Sequence, residues 1–343
     1  MSILITGGAG YIGSHCNKVL KKAGYDTVIL DDLSNGHKEA IGDSELIIGD
    51  IGDRDILNSI FSDHKIDGVI HLAAKKSVEE SVSDPDLYYR ENVVKTGILL
   101  DVMRENNVGN FVFSSSAAVY GDASGTQGSS DSAVVDENFP TDPINPYGET
   151  KLAVEKMLID HNEKYGLYFC ALRYFNVAGA DPDGKIGSAG LEEKNIMPLL
   201  MDAVTTKGYE LTVFGDDYNT RDGSCIRDYI HVMDLAEVHL LAYEYLIRNS
   251  SPDDLDNEPA GSGSAIINLG SNSGFSVLEL IHETEVVTGK IINYKIGPRR
   301  AGDPAILVAS NKKAKDLLGW TPKYSSIKDI IRDSYNWKLN KRY

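Results

Sequence analysis

Three glycines, Gly7, Gly10 and Gly13, stand at three-residue spacing between a short branched run, Ile3 to Ile5, and a helical stripe of Ile12, Cys16, Val19, Leu20 and Ala23. A strand that feeds a helix through a turn stripped of side chains leaves few folds open. Backbone in such a turn can approach a diphosphate, whose charge is favoured at the helix N-terminus. The bare triplet also suits a plain tight turn, so the residues after it matter. Asp31-Asp32 ends the next branched run, Thr27 to Leu30, 18 residues after Gly13. A carboxylate there accepts hydrogen bonds from an adenosine ribose and repels a 2′-phosphate, which favours NAD over NADP. Asp32 serves equally as a turn former. Asp50 either holds an adenine amine or caps a helix over 53–62.

The strand-then-helix pattern continues. Leu46 to Ile48, Gly68 to Leu72 and Phe111 to Phe113 are further brief runs that suit strands buried on both faces. Ile56, Leu57, Ile60 and Phe61 form one helical stripe, and Leu87 to Arg104 reads as a longer helix with Val93, Gly97, Leu100 and Arg104 in register. Gly24 fits a helix C-terminal cap. The expected fold is therefore α/β, a Rossmann-type doubly wound parallel sheet. At 343 residues the chain has room for about two domains. The alternation weakens after residue 176, so 1–176, with 226–250 packing back, is the expected NAD-binding part. Residues 177–225 and 251–343 are the expected smaller C-terminal α/β substrate lobe. The Ser-, Gly- and Asp-rich stretches 122–138 and 249–264 read as surface loops.

A net charge of −17 argues against a general nucleic-acid backbone binder. It leaves room for one phosphate-bearing small ligand held by local cations. Three scattered cysteines, Cys16, Cys170 and Cys225, imply no disulfide framework and suit a reducing compartment. No run is long and apolar enough for a bilayer. The first residues, Met1 to Gly8, read as a strand rather than a signal peptide, so the cytoplasm is the expected location. No metal site is expected.

Tyr147 and Lys151 fall at i and i+4 on one face of a helix. A phenol of pKa ~10 is a poor base, but a lysine cation and a nicotinamide cation beside it favour the phenolate. Upstream, Ser114-Ser115-Ser116-Ala117 ends a strand, where parallel sheets place ligands. A serine hydroxyl there can bond a substrate oxygen and relay its proton to Tyr147. An ordinary tyrosine, a solvated lysine and a serine cap are the structural alternatives, and they must all hold together. His71 and His231 read as structural histidines.

In this order the residues resemble the extended short-chain dehydrogenase/reductase family, and within it the nucleotide-sugar epimerases. The resemblance spans Ile3 to about Trp320. It rests on Thr6 to His15, His71-Leu72-Ala73-Ala74, Ser114 to Gly121, Tyr147 to Lys151, Arg173-Tyr174-Phe175-Asn176, Gly215 to Asp217, Ile226 to Val232 and Pro298 to Asp303. It implies inversion at carbon 4 of a UDP-hexose through a transient 4-keto sugar, with NAD tightly bound and regenerated each turn. Gly7, Gly10, Tyr11, Ile12, Gly13, Asp31, Asp32, Asn35, Asp50, Ile51, Leu72, Ala73, Ala74, Lys76, Asn92, Ser114, Tyr174 and Phe175 would line NAD, with Tyr147 and Lys151. Tyr147, Lys151 and Ser116 would be catalytic. Lys76, Ser116, Ala117, Tyr147, Asn176, Asn195, Tyr229 and Leu307 would meet the substrate. Thr212, Val213 and Phe214 would meet the uracil, Arg227 and Arg300 would clamp the diphosphate, and Asp303 would hold the uridine ribose. For the two arginines a surface ion pair is the alternative.

Leu307 stands, by count from Asp303, where bulk gates N-acetylated sugars in this family; its size favours glucose and galactose over the N-acetylhexosamine pair. Packing in the second lobe is the other reading. A dehydratase or decarboxylase of the same family needs a further acid or base near the serine strand end, where Ala117-Ala118 cannot transfer a proton. A non-catalytic dinucleotide sensor has no use for Tyr147, Lys151 and Ser116. The segments 87–104 and 147–165 carry two sets of apolar positions. The resemblance implies a homodimer built on them, while covering the sheet is the alternative.

Overall fold

Each of the five short apolar runs forms a strand in the computed structural model: β1 (Ser2–Thr6), β2 (Asp26–Asp31), β3 (Glu45–Ile48), β4 (Ile66–His71) and β5 (Asn110–Ser116). They are joined by β6 (Tyr168–Tyr174), and later in the chain come β7 (Asn176–Ala178), β8 (Leu211–Phe214), β9 (Ile226–His231), β10 (Ala265–Leu269), β11 (Gly274–Ser276), β12 (Tyr294–Gly297) and β13 (Ile306–Leu307). The helices are α1 (Tyr11–Lys22), α2 (Arg54–Asp63), α3 (Val78–Ser83), α4 (Pro85–Tyr89), α5 (Lys95–Glu105), α6 (Pro146–Tyr165), α7 (Ile196–Thr205), α8 (Val232–Asn249), α9 (Val277–Thr288), α10 (Lys312–Leu318) and α11 (Ile327–Leu339). The structure describes residues 1–122, 134–190, 195–250, 263–300 and 304–343. Asp303 and most of the two loops expected at 122–138 and 249–264 lie outside the described residues.

Two units divide the chain. The first comprises Met1–Gly121, Pro140–Arg173 and Ala236–Ile267; the second comprises Asp122–Phe139, Tyr174–Leu235 and Asn268–Tyr343. Of the stretch 226–250, the part from Ala236 groups with the first unit, and β9 groups with the second.

The first unit is built on a seven-stranded sheet of order β10-β6-β5-β4-β1-β2-β3. β1 runs parallel to both β2 and β4, β2 to β3, and β4 to β5. The chain thus starts in the middle, winds out to β3 and returns to β4, the doubly wound Rossmann order with its switch point between β1 and β4. Ile3, Leu4, Ile5, Ile29, Leu30, Val69, Ile70, Phe111 and Val112 have no accessible surface, as central parallel strands covered on both faces require.

Two helical expectations need correction. The long helix over 87–104 is broken by a π-helical turn, Arg90–Val94, between α4 and α5. The turn brings polar Asn92 into the interior, where Oδ1 accepts from Lys75 N at 2.8 Å and Nδ2 donates to Lys75 O at 3.0 Å. Apolar periodicity is blind to such a polar anchor, and single π-turns cluster at functional sites. The cap of α2 is Asp53, which accepts from Asp55 N and Ile56 N. Asp50 instead accepts from Gly52 N at 2.6 Å and from Lys95 Nζ at 2.5 Å.

The second unit places β9 among three partners, parallel to β7 and β13 and antiparallel to β11, and pairs β8 with β12. Leu200, Leu211, Val213, Tyr229, Leu280, Ile330 and Ile331 form its core. The end of the loop expected at 122–138 is no free surface strand. Val135 is 2% exposed, donates to Val308 O at 2.8 Å and accepts from Ser310 N at 2.8 Å. A lone apolar pair, Val134-Val135, gave too short a signal to mark this docking. No helix of the described residues is long and apolar enough to cross a membrane.

Candidate active site

The carboxyl ends of β1, β2, β4 and β5 carry the residues that the sequence singles out. After β1, Gly7 adopts φ +69°, and a Cβ there would lie 2.7 Å from Ala73 N. A Cβ on Gly13 would lie 2.2 Å from Gly7 O and 2.6 Å from Gly8 Cα. Gly10 is the N-cap of α1, and no side-chain cap hydrogen bond closes the helix start. The turn is thus a bare cradle, packed too tightly for side chains at Gly7 and Gly13, with a helix N-terminus behind it. Those features fit the diphosphate of a dinucleotide. Tyr11 and Ile12, half-buried, open the helix.

Asp31 is buried, and its carboxylate accepts from Ala9 N and Leu33 N, each at 2.9 Å. It therefore braces the glycine turn, and each oxygen keeps lone pairs for a ribose hydroxyl. Asp32 is exposed and accepts from Ser34 N and Oγ, the turn-forming role. Asn35 is exposed beside it. Ile51 is buried and Asp50 half-buried beyond β3. After β4, Leu72 and Ala73 are half-buried, while Ala74 and Lys76 are exposed. Asn92 holds this segment through Lys75 and also donates to Thr150 Oγ1 at 3.1 Å. His71 is structural. Its Nε2 meets Thr96 Oγ1 at 2.9 Å, a hydroxyl that itself donates to Asn92 O, and its Nδ1 lies 2.7 Å from Thr6 Oγ1.

Asn145 caps α6 by accepting from Gly148 N at 2.9 Å, and Pro146 occupies the first helical turn. This start aims Tyr147 and Lys151 along one face toward the end of β5. Lys151 is 3% exposed. Its Nζ donates to Ser114 O at 2.8 Å and lies 5.8 Å from the Tyr147 ring centre and 5.0 Å from that of Phe113. Ser116 caps the short 3-10 turn Ala117–Tyr120 through Ala118 N at 3.2 Å, and its hydroxyl also bonds the Tyr147 phenol. Ala117 is buried in that turn. Burial pushes the Tyr147 phenol above its usual range and the Ser116 hydroxyl pulls it back, so the chain's own groups leave it protonated. The lowering expected from Lys151 and a nicotinamide cation is not supplied by the protein alone. Burial pushes the Lys151 ammonium down to about 7, against the pull of Glu155.

The folded lysine titrates near 7 and the unfolded one near 10.5. Between those values the unfolded chain binds the extra proton, so stability rises with pH across this window. Below pH 7 the whole cost of burying the ammonium stands. Lys151→Met is expected to raise the melting temperature of nucleotide-free protein near pH 6.5 by about 2 °C, the scale of ~1 kcal/mol in a chain of this size. The gain should fade toward pH 10. Thermal melts across that range check it; a lower melting temperature at pH 6.5 would be the contrary result.

The remaining residues singled out by the sequence lie in the second unit. Tyr174 and Phe175 are buried, and Phe175 N donates to Leu269 O at 3.2 Å. Asn176 on β7 pairs with Tyr229 on β9, and its Nδ2 donates to Asp228 O at 3.0 Å. Leu307 on β13 faces Arg227 in register, both half-buried. Asn195 is the exposed N-cap of α7. Thr212, Val213 and Phe214 lie on β8, and the Arg300 guanidinium stacks 4.0 Å from the Phe214 ring centre. Asp303 lies outside the described residues.

Two groups escaped sequence reasoning as site members. Lys95 engages Asp50 and also Glu91 at 2.5 Å. Glu155 lies one turn past Lys151, buried against Arg173. An acid at a core position of α6 was the signal available for the second.

A family model, the NAD dependent epimerase/dehydratase family, matches residues 3–255. The chain belongs to this family. A UDP-glucose 4-epimerase of Halalkalibacterium halodurans is 47% identical over 98% of this chain and 95% of that one. The structure of the Brucella ovis UDP-glucose 4-epimerase in complex with NAD superposes with a TM-score of 0.89 at 41% identity, covering 97% of each chain. The Stenotrophomonas maltophila UDP-glucose-4-epimerase, with bound NAD and formylated UDP-arabinopyranose, gives 0.89 at 37% identity over 99% of this chain and 98% of that one.

Proposed function

We propose that this chain interconverts UDP-glucose and UDP-galactose by NAD-dependent inversion at C4, with Tyr147, Lys151 and Ser116 as its catalytic group. The reading is carried by one observation. A phenol bonded to a serine hydroxyl and facing a buried ammonium stands at the same carboxyl end of the sheet as a side-chain-free turn. When bound, NAD would supply the hydride acceptor and donor for inversion at C4 through a 4-keto sugar, and a positively charged ring that favours the phenolate. Gly7, Gly10 and Gly13 admit the cofactor diphosphate, and Asp31 holds the adenosine ribose. Lys151 holds the nicotinamide ribose and favours the phenolate. Tyr147 Oη takes the proton of the sugar 4-hydroxyl and later returns it, while Ser116 holds that oxygen in place.

Other residues would bind the part of the substrate that does not react. Arg227 and Arg300 meet the diphosphate, where a guanidinium fork fits two oxygens at once. Asn176 and Asn195 add polar contacts, and β8 with Phe214 meets the uracil. Tight hold on the remote uridine diphosphate leaves the hexose free to turn over. Half-buried Leu307 favours glucose and galactose over N-acetylated sugars.

We read the assembly as a pair of identical chains. Val78, Val82, Tyr89 and Val94 are exposed, as are Ile159 and Tyr165 on α6. These are large apolar side chains on helices of the first unit, the composition of a surface that a second copy would cover. We place the reaction in the cytoplasm. The three cysteines are buried with no disulfide among them, which suits a reducing compartment.

Purified protein given UDP-galactose, with no NAD added, is expected to form UDP-glucose, because regenerated cofactor stays bound. No conversion, with or without added NAD, would overturn the reading.

A further inference from the structure

The catalytic group leaves two buried charges unexplained. Glu155 on α6 is 1% exposed and Arg173 on β6 is 4% exposed. The guanidinium grips the carboxylate twice, Nε to Oε1 at 2.9 Å and Nη2 to Oε2 at 2.6 Å. Ser115 Oγ donates to Oε1 at 2.5 Å, and Arg173 Nη1 donates to Tyr120 Oη at 2.9 Å. A buried ion pair is weak evidence of stabilisation, since apolar replacements of similar volume often do as well. The placement of this one is more telling. Three consecutive residues at the end of β5 are tied to three successive turns of α6. Ser116 meets Tyr147, Ser114 O meets Lys151, and Ser115 Oγ meets Glu155.

We propose that the Glu155–Arg173 pair is a positioning device for the catalytic lysine. Its carboxylate, one helical turn beyond Lys151, supplies the negative charge that keeps the buried ammonium protonated, and Ser115 locks that carboxylate to the strand bearing Ser114 and Ser116. The inference rests on the catalytic reading of Tyr147 and Lys151 given above.

The surroundings of Lys151 leave Glu155 in this role. From α6, the Tyr147 ring centre lies 5.8 Å from the ammonium, and Glu155 acts on the ammonium through its charge. From β5 it meets uncharged Phe113 and Ser114. From β4 comes His71, kept neutral, its imidazole pushed down to about 3 by burial and then by the charge of Lys151 itself. From β6, Arg173 stands behind Glu155. With the carboxylate gone, two cations face each other with no counter-charge until the phenol ionises, and the lysine is the one that gives up its proton.

The test is the pH dependence of kcat for UDP-galactose conversion in the native protein, Glu155→Gln, Glu155→Asp and the pair variant Glu155→Gln with Arg173→Gln. In both variants lacking the carboxylate the alkaline limb should move toward acid by about one pH unit, a tenfold change in the lysine equilibrium. The KM should stay near the native one, and Glu155→Asp should restore the native limb. If stranding Arg173 prevents Glu155→Gln from folding, the pair variant, which strands no charge, decides. Folded variants whose profile superimposes on the native limb would make the pair a structural tie only. An inactive native protein would sink the catalytic reading itself, so the two failures are distinct.

Discussion

Phenylalanine in place of Tyr147 is expected to lower kcat about 10²- to 10⁴-fold, the usual contribution of a positioned acid–base group. The substitution removes one oxygen and keeps the ring. Lys151 keeps its bond to Ser114 O and its place over Phe113, and the glycine turn lies on another strand. NAD should therefore stay bound, and the KM for the nucleotide sugar should change little. That is the pattern for losing an interaction made only in the transition state. Steady-state kinetics with a count of bound nucleotide separates the effects. Activity within about threefold of native would remove Tyr147 from the base role.

Alanine at Gly13 is expected to yield protein purified with less than about a tenth of the native NAD, since a single overpacked atom typically costs 1–3 kcal/mol. The new Cβ would meet Gly7 O at 2.2 Å and Gly8 Cα at 2.6 Å, both backbone. No rotamer relieves a clash at Cβ, so the start of α1 must move away from the turn after β1. That turn is where the diphosphate is proposed to lie. Gly109→Ala is the matched control, because a Cβ there meets nothing within 4 Å. It should keep its NAD and alter stability by less than about 0.5 kcal/mol. Nucleotide released by denaturation and thermal melts provide the two readouts. A full NAD complement in Gly13→Ala would contradict the proposed cradle.

Five of the seven strands were legible as short apolar runs, most of them buried, while β6 and β10 were not read from the sequence; the glycine turn was legible because its spacing leaves no room for side chains. What stayed hidden depends on polar contacts between residues far apart in the chain. Asn92 turns inward on a π-turn to hold Lys75, a contact that no periodicity encodes. Asp50 was read as an adenine contact or a cap, yet Lys95, 45 residues later, takes one of its oxygens. Val135 docks beside Ala309 from within a polar stretch. Arg173 stood within a quoted motif and Glu155 in none, and only burial shows that they pair. Of the proposed site, Tyr147, Lys151 and Ser116 were singled out through spacing and strand-end position. The direction of the Tyr147 shift was not, because it depends on burial.

The most direct test follows the hydrogen at carbon 4. UDP-galactose carrying deuterium at that carbon, turned over in ordinary water without added NAD, is expected to give UDP-glucose that retains the deuterium at C4. Product bearing solvent hydrogen at that carbon, or no product at all, would contradict hydride transfer to and from one protein-held cofactor.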